Sequence, residues 1–373
     1  MRCRSVFAAL SISLYLVVSA YGACQDGTHS AGAVYRVCLP SGPWNGDLIL
    51  YAHGFVAPGE PIAIPENQLK LPDGTYLPDL ITGLGYGFAT TSYSRNGLAV
   101  PEGVAEISEL PAIFTAYAGR APGRVFVTGV SEGALVAARA LEINPALFNG
   151  GLAACGPIGD FRKQVDYIGD LRVVFDYFFP GLLPPTAISI PSELVNAWES
   201  KYLPLVTTKL QQRPLATAQV ISVSRTPVGL NPANAADAIT SVLWYNVFAT
   251  NDTVSKFGGN PFDNRNRWYS GSLSDTLLNL RVARFEASPA ALEYLEKNYQ
   301  TSGRLSRPLI TLHTIWDPVV PYWHEALYAG KVQAPHSDGY LIQVPVARYG
   351  HCNFTSAEVL FSFLLMVLNP LAR

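Results

Sequence analysis

The sequence has little charge for its length. Of its 373 residues only 14% are charged, and 26 Lys and Arg against 28 Asp and Glu leave a net charge of −2. With 49% hydrophobic residues, this composition excludes an intrinsically disordered chain. The balance of signs excludes a protein that binds nucleic acid through a strong positive field, so no nucleic-acid partner is expected. The length fits two domains or one large α/β unit with an insertion.

Long hydrophobic runs are missing beyond the N-terminus. No stretch after residue 22 reaches the roughly 18 uncharged apolar residues that a membrane-spanning helix needs. No membrane span is therefore expected once a signal peptide is removed. The sequence also lacks a phosphate-binding loop, and His313 and His324 have no third ligand at a zinc spacing. No metal and no cofactor are expected.

The N-terminus carries the features of a secretory signal peptide over residues 1–22. Arg2 and Arg4 precede an apolar run at 7–18, and Ala-Tyr-Gly at 20–22 offers a cleavage site of the small-x-small type. An uncleaved anchor helix is the alternative. The predicted localisation is secreted or periplasmic.

Cysteine is scarce, with five residues in the chain. Cys3 would leave with the signal peptide, so the mature chain would keep Cys24, Cys38, Cys155 and Cys352. An even number of cysteines in an exported chain predicts disulfides, and these cysteines allow about three pairings.

Apolar runs separated by helical stretches predict a mostly parallel central sheet with helices on both faces, because such strands are joined by right-handed crossovers. Residues 132–143 and 356–369 have the composition of helices packed on that sheet. The predicted strands lie at 47–52, 87–93, 124–129, 150–155, 308–314 and 341–346.

The pattern changes between residues 157 and 306, where no strand series is evident and helical signals dominate. This stretch is far too long for a loop. Prolines stand at the predicted starts of its helices, where a missing N–H costs nothing. We therefore predict a helical cap over 157–306. It would be inserted before the predicted strand at 308–314, in an α/β core formed by 23–156 and 307–373.

Ser131 lies in the pattern Gly129-Val130-Ser131-Glu132-Gly133, after a predicted strand and at the start of a predicted helix. That context is the one required by a nucleophile elbow, in which flanking glycines let the chain turn sharply and expose the serine hydroxyl. A structural glycine-rich turn is the alternative. We predict that Ser131 is a catalytic nucleophile.

A serine hydroxyl needs a base to act as a nucleophile near neutral pH. On this architecture the chain order is Ser, then acid, then His. His351 follows the last predicted strand, and Gly350 before it permits a loop that returns the imidazole to the sheet edge. His336 is the alternative base, although it lies in a polar loop before that strand.

Asp317 is the predicted acid, because it follows the strand that precedes the histidine strand. A carboxylate there would hold the imidazole in the correct tautomer and stabilise its charged form. The alternative is a turn-forming Asp-Pro pair, with Asp338 and Glu325 as the remaining candidate acids.

The oxyanion hole requires backbone N–H donors close to the nucleophile. We assign one to Glu132, which follows Ser131, and the other to Phe55, in the loop after the first strong strand. Gly54 would let the backbone approach the site. His53 is expected to support this loop rather than act as a base.

Together, His53-Gly54, the Gly-x-Ser-x-Gly motif around Ser131, Asp317 and His351 resemble the α/β-hydrolase superfamily over about 30–156 and 307–373. Secreted serine esterases and prolyl-oligopeptidase-like hydrolases are both similar. The resemblance implies a carboxylesterase-like serine hydrolase acting through an acyl-enzyme on a small-molecule or polymeric ester. The predicted cap falls where the superfamily often carries its lid. The oligomeric state is left open.

The sequence around His351-Cys352 adds a further resemblance. Tannases and fungal-type feruloyl esterases tie a Cys beside the Ser to a Cys beside the His, whereas here Val130 precedes the serine. Cys155 ends the strand after the nucleophile helix and should lie near the histidine loop. We therefore expect the pairs Cys155–Cys352 and Cys24–Cys38, with two free buried thiols as the alternative for the first pair.

Aromatic residues at 175–179 and 244–248 favour an apolar pocket for uncharged acyl or aromatic esters, unless they only pack the cap helices together. Three other functions remain open. They are a prolyl-oligopeptidase-like peptidase, an extracellular polyester depolymerase with an open cleft, and a hydrolase-like binding protein.

Overall fold

A computed structural model describes residues 23–372, so the predicted signal peptide at 1–22 lies outside the described residues. The chain forms one sheet from strands β1 (Ala23–Thr28), β2 (Val34–Leu39), β3 (Asp47–Ala52), β4 (Gly87–Thr91), β5 (Arg124–Val130), β6 (Gly150–Ala154), β7 (Leu309–Trp316) and β8 (Leu341–Tyr349). The strand order across the sheet is β1-β2-β4-β3-β5-β6-β7-β8. Strand β2 pairs antiparallel with β1 and β4, and every later pair is parallel.

Helices lie between most of these strands. They are α1 (Leu77–Gly83), α2 (Val100–Ala118), α3 (Glu132–Ile143), α4 (Phe161–Phe178), α5 (Ser192–Asn196), α6 (Leu203–Gln212), α7 (Pro214–Ser224), α8 (Ala235–Phe257), α9 (Asp275–Arg281), α10 (Pro289–Tyr299), α11 (Trp323–Gln333) and α12 (Ser356–Val367). Between residues 23 and 372, no helix is long and apolar enough to cross a bilayer.

Both faces of the sheet are covered by helices, as predicted. Successive residues of a strand point to opposite faces, and β3 illustrates the consequence. Leu48 and Leu50 are buried in the cluster that contains α2 and α3. Ile49 and Tyr51 are buried in a second cluster with residues of α1 and α12. The continuous apolar run of β3 is therefore explained by a strand without a solvent-exposed face.

The predicted strands correspond to β3 through β8; both ends of β3 agree, and no end of the others differs by more than three residues. The hairpin of β1 and β2 was not predicted. Strand β1 is an edge strand of mainly exposed, polar residues, so it lacks the apolar run by which the buried strands are recognised. This hairpin supplies the antiparallel part of the sheet.

Helices α4–α10, called the helical insertion below, lie between β6 and β7. They bury an apolar cluster of their own, which includes Leu171, Trp198, Val206 and Leu243. The described residues of this segment contain no strand. The boundaries of a cap over 157–306 remain a prediction.

Two disulfides are present. Cys24–Cys38 joins β1 to β2 at directly paired positions of the hairpin. Cys155–Cys352 joins the end of β6 to the loop after β8, across a sequence separation of 197 residues. The second bond therefore closes a covalent loop that contains the whole helical insertion.

We expect the double variant Cys155→Ser/Cys352→Ser to lose about 2–4 kcal/mol of unfolding free energy, because the bond restricts the unfolded chain over a long loop. The matched control Cys24→Ser/Cys38→Ser opens a loop of only 14 residues and should lose less. Urea denaturation without reductant measures both losses. A Cys155→Ser/Cys352→Ser protein as stable as the wild type would contradict the prediction.

Candidate active site

Ser131 occupies a strained turn between β5 and α3. Its backbone has φ 57° and ψ −121°, a conformation that costs a non-glycine residue about 1–3 kcal/mol. The turn is packed tightly, because a Cβ at Gly133 would overlap the carbonyl oxygens of Ala52 and His53. The glycines of the motif therefore permit close packing of this turn against the end of β3.

His351 lies between Ser131 and Asp317. Its Nε2 is 2.9 Å from Ser131 Oγ, and its Nδ1 is 2.7 Å from Asp317 Oδ2. The side chain of His351 is 17% exposed, whereas that of Asp317 is fully buried. The structure thus brings together the three residues proposed from the sequence, although they are up to 220 positions apart.

Asp317 is held by several donors at the end of β7. Its Oδ1 accepts hydrogen bonds from the backbone N–H groups of Val319 at 2.8 Å and Val320 at 2.9 Å. Burial acts to raise the pKa of Asp317, but His351 and His313 outweigh burial and hold this pKa well below its usual value. The carboxylate is therefore ionised and fixed in orientation.

His313, which the sequence analysis considered only as a metal ligand, lies behind the acid. Its Nε2 is 3.6 Å from Asp317 Oδ2, and its Nδ1 is 3.1 Å from Glu325 Oε1. Burial opposes the charged form, but Asp317 and Glu325 together raise the pKa of His313 to about 10. A buried imidazolium thus neutralises part of the negative charge behind His351. The sequence does not reveal this role, because the pairing of His313 with Glu325 of α11 depends on tertiary packing.

The alternative acids and base lie elsewhere. Glu325 is buried and contacts Thr311 and His313 rather than His351. His336 and Asp338 are exposed in the segment between α11 and β8.

The two proposed oxyanion donors come from different elements, since Glu132 begins α3 and Phe55 lies in the loop after β3. Glu132 is the first residue of α3, so its N–H belongs to the helix amides without an intrahelical acceptor. Among the described residues, the Phe55 N–H has no hydrogen-bond acceptor. Gly54 lies against the serine, since a Cβ at Gly54 would be 3.3 Å from Ser131 Cβ. Their assignment as oxyanion donors remains a proposal.

His53 is buried and supports this loop from within. Its ring stacks on Tyr93 with centroids 4.0 Å apart, and its Nδ1 is 2.7 Å from the Gly54 carbonyl oxygen. Burial lowers the pKa of His53 to about 4, so the ring is neutral near pH 7. This environment fits the structural role expected from the sequence.

The disulfide Cys155–Cys352 lies beside the imidazole, with Cys352 Sγ 3.4 Å from His351 Nε2. Cys155, His351 and Cys352 are close enough together to be considered as ligands of a metal ion, and they are the group of this kind found among residues 23–372. A cysteine binds a metal ion as a free thiolate, but the sulfurs of Cys155 and Cys352 are bonded to each other in the disulfide. The bond instead ties the histidine loop to the end of β6.

Two cavities adjoin Ser131 and His351. The first, called the apolar cavity, has a volume of about 100 Å³ and is lined by Ser131, Glu132 and mostly apolar residues of the helical insertion. The second, called the polar cavity, is more open to solvent and has a volume of about 740 Å³. It is lined by His351, Trp244, Asp237, several hydroxyl and amide side chains and a smaller apolar part that includes Trp198 and Leu203. The candidate site is thus bordered by a cavity on each of two sides.

The aromatic residues singled out in the sequence separate into two groups. Phe175 and Phe179 are buried in the core of the helical insertion and line neither cavity. Trp244 and Tyr245 of α8 line the site, and both rings contact Phe55, with centroids 5.8 and 5.7 Å away. Phe175 and Phe179 therefore pack the inserted helices together, which was the alternative to lining a pocket.

The side chain of Glu132 is a buried carboxyl in the wall of the apolar cavity. It accepts a hydrogen bond from the Ala99 N–H at 2.7 Å. Burial raises the pKa of Glu132 to about 8, against weaker opposing effects of that bond and of Lys256. The carboxyl is therefore mostly neutral at pH 7.

Comparisons with known proteins address the fold. Feruloyl esterase B from Aspergillus oryzae aligns with a TM-score of 0.53 and 14% identity, over 94% of this chain and 78% of that one. An acylaminoacyl peptidase from Pyrococcus horikoshii aligns with a TM-score of 0.47 and 11% identity, over 93% of this chain but only 42% of the peptidase. This chain thus spans about two fifths of the peptidase. No family model and no curated protein matches the sequence.

The mostly parallel sheet and the solved structures that align with it define the architecture as the α/β-hydrolase fold. At these low identities the likeness describes the fold. What the chain does has to be argued from its own site.

We expect Gly133→Ala to lower the free energy of unfolding by about 3 kcal/mol, because the new methyl group would overlap the backbone carbonyl oxygens of Ala52 and His53, which can give way only if the backbone shifts. The matched control is Gly330→Ala in α11, where an added Cβ meets no atom within 4 Å. That change should stabilise the protein by about 0.5–1 kcal/mol, since alanine is the better helix former. Urea denaturation measures whether each variant loses or gains stability. Equal changes in the unfolding free energy of Gly133→Ala and Gly330→Ala would contradict the packing argument.

The raised pKa of Glu132 predicts a pH-dependent stability. Between the ordinary pKa of 4.5 and about 8, the folded chain keeps a proton that the unfolded chain releases. The unfolding free energy contributed by this group therefore falls as the pH rises through that interval. Glu132→Gln keeps a side-chain oxygen that can accept the hydrogen bond from the Ala99 N–H, and it removes the carboxyl group that titrates.

Urea denaturation at pH 5 and pH 8.5 tests this prediction. The wild type should lose more stability between the two values than Glu132→Gln, whereas Glu296→Gln, on the exposed surface of α10, should behave like the wild type. Identical pH dependence in the wild type and Glu132→Gln would contradict it.

Proposed function

We propose that the protein is an exported serine hydrolase that cleaves carboxylic esters through Ser131, His351 and Asp317. The observation that carries this proposal is the unbroken row of hydrogen-bond distances, 2.9 Å from Ser131 Oγ to His351 Nε2 and 2.7 Å from His351 Nδ1 to Asp317 Oδ2. With Asp317 ionised, Nδ1 carries the proton and Nε2 is the free base that faces the serine.

In the first half of the proposed reaction, Ser131 Oγ attacks the ester carbonyl carbon while its proton passes to His351 Nε2. The carbonyl π electrons move to oxygen and form a tetrahedral oxyanion. The intermediate collapses as the C–O bond to the alcohol breaks and His351 returns the proton to the departing oxygen. An acyl ester of Ser131 and a free alcohol result.

In the second half, water takes the place of the alcohol. His351 accepts a proton from the water as it attacks the acyl carbon, and then donates that proton to Ser131 Oγ as the carboxylic acid leaves. Asp317 stabilises the imidazolium in both halves without accepting a proton. The backbone N–H groups of Phe55 and Glu132 are proposed to bind the oxyanion, where such donors contribute several kcal/mol.

Ester cleavage is favoured over peptide cleavage by the chemistry of the apolar cavity. A dipeptidyl-type peptidase has to hold the substrate ammonium group, and Glu132 is the only carboxyl group among the described residues that line this cavity. Because burial raises the pKa of Glu132 to about 8, it lacks a full negative charge at pH 7. Uncharged apolar or aromatic acyl groups therefore suit this cavity better.

A prolyl-oligopeptidase-like peptidase and an extracellular polyester depolymerase remain the alternatives. The alignment with an acylaminoacyl peptidase concerns the fold and does not favour the first. The helical insertion covers the apolar cavity with residues of α4 and α8, which is unlike the open cleft expected for a polymer.

Export is proposed from the predicted signal peptide at 1–22 together with the two disulfides, because such bonds persist in oxidising compartments. A secreted or periplasmic location is consistent with both features.

The proposal predicts that Ser131→Ala lowers kcat for p-nitrophenyl butyrate by at least about 10⁴-fold, because no other group replaces the nucleophile. The matched control Ser108→Ala removes a hydroxyl that bonds within α2 and to Asn144, and it should keep the wild-type rate. Unchanged turnover in Ser131→Ala would refute the assignment. Faster cleavage of a dipeptide p-nitroanilide than of the ester would favour the peptidase.

A further inference from the structure

Helix α8 runs past the candidate nucleophile and contributes to both cavities. Its N-terminal half lines the polar cavity with Asp237, Ser241 and Trp244. Its C-terminal half lines the apolar cavity with Ala249 and Thr253. Together with Tyr245, the residues Asp237, Ser241, Ala249 and Thr253 recur every four residues, so they form one continuous stripe along the helix.

Tyr245 lies where the two cavities meet. It lines both of them, as does Val319, whose N–H donates to Asp317. Burial raises the pKa of Tyr245, and an interaction of its hydroxyl with the Ser131 side chain acts in the opposite direction. The boundary between the cavities is therefore directly beside Ser131.

The chemistry of ester cleavage distinguishes the two sides, and this step rests on the function proposed above. The acyl carbon becomes bonded to Ser131, which lines the apolar cavity but not the polar one. The departing alcohol has to receive its proton from His351, which lines the polar cavity but not the apolar one.

We propose that the acyl part of the substrate occupies the apolar cavity, that the alcohol part occupies the polar cavity, and that the alcohol is rich in hydroxyl groups. Helix α8 then contacts both parts of one ester. Tyr245 stands at the bond that is cleaved.

The lining of the apolar cavity supports an apolar acyl group. Its walls are largely formed by hydrophobic side chains, which include Phe161, Val165, Ile168, Ile188 and Phe262. A hydrocarbon or aromatic group placed there is transferred from water into an apolar environment, and this transfer favours binding in proportion to the apolar area buried.

The lining of the polar cavity supports a hydroxyl-rich alcohol. Thr207 and Gln211 of α6 and Ser241 of α8 line it, and none of their side chains has a hydrogen-bond partner among residues 23–372. Free hydroxyl and amide groups beside the indole of Trp244 offer hydrogen bonds and an apolar face at the same time. Glycerol and sugars both present that combination.

The acyl side is tested with p-nitrophenyl esters, in which the leaving group stays constant. Ala249→Phe fills the apolar cavity, so kcat/KM for the octanoate should fall at least about tenfold while the acetate changes less than about threefold. Ile188→Trp, at a half-buried position of the same cavity, should act likewise if Ala249→Phe fails to fold. Retained acetate hydrolysis reports a folded site.

The alcohol side is tested with octanoate esters of ethanol, glycerol and glucose, in which the acyl group stays constant. Gln211→Ala/Ser241→Ala should lower kcat/KM about tenfold for the glycerol and glucose esters, since the hydrogen bonds from these two side chains to the alcohol are lost. Hydrolysis of ethyl octanoate, whose alcohol part has no further hydroxyl group, should change less than about threefold. The glycerol and glucose arms identify which polyol the wild type prefers.

The matched control for the alcohol side is Thr208→Ala in α6. Its hydroxyl is exposed and bonds to the Pro204 carbonyl oxygen, so all three octanoate esters should react as in the wild type.

The outcomes separate this inference from the proposed function. Loss of the hydrolysis of every ester in Ser131→Ala supports the function, whichever cavity binds the acyl group. If Ala249→Phe slows acetate and octanoate equally, or if Gln211→Ala/Ser241→Ala slows ethyl and polyol esters equally, the assignment of the cavities is overturned while the function stands. Ester hydrolysis that does not require Ser131 would overturn both.

Discussion

The site depends on a single buried negative charge. Asp317 has no exposure to water, and burying an uncompensated carboxylate is costly. Backbone donors on one oxygen and imidazoles facing the other replace the lost hydration. This compensation fixes the carboxylate, the carboxylate fixes His351, and His351 faces Ser131. A change that disturbs the donors around Asp317 would therefore affect the position of Ser131 without contacting it.

The sheet explains how distant residues converge. Strands β3, β5, β6, β7 and β8 are mutually parallel, so their carboxyl ends lie at one edge. Phe55, Ser131, Cys155, Asp317 and His351 each follow one of these strands by one to three residues. Parallel pairing thus places these residues, which are far apart in the sequence, next to one another. The helical insertion begins at the same edge of the sheet, because it follows the carboxyl end of β6 and precedes β7. The chemistry is placed by the core, whereas the walls of the two cavities come mainly from the insertion.

Much of this arrangement could be predicted because it is encoded locally. Buried parallel strands appear as apolar runs, and a tight turn before a helix requires glycine at defined positions, so β3–β8 and Ser131 were found from the sequence. The pairing of His313 with Glu325 could not be predicted, since it depends on how α11 packs against β7. The place of Tyr245 depends on how α8 docks over the core, and helix-forming patterns carry no information about docking. The edge hairpin was missed because its first strand is exposed and polar.

The disulfide Cys155–Cys352 has a consequence for a protein exposed to proteases. Ser131 precedes the first cysteine, and His351 directly precedes the second, while the bond joins the two cysteines across the inserted helices. A peptide bond cut anywhere in the helices between them would yield two fragments that stay covalently linked, with Ser131 on one and His351 on the other. Cleavage of the insertion would then alter the walls of the two cavities without separating Ser131 from His351.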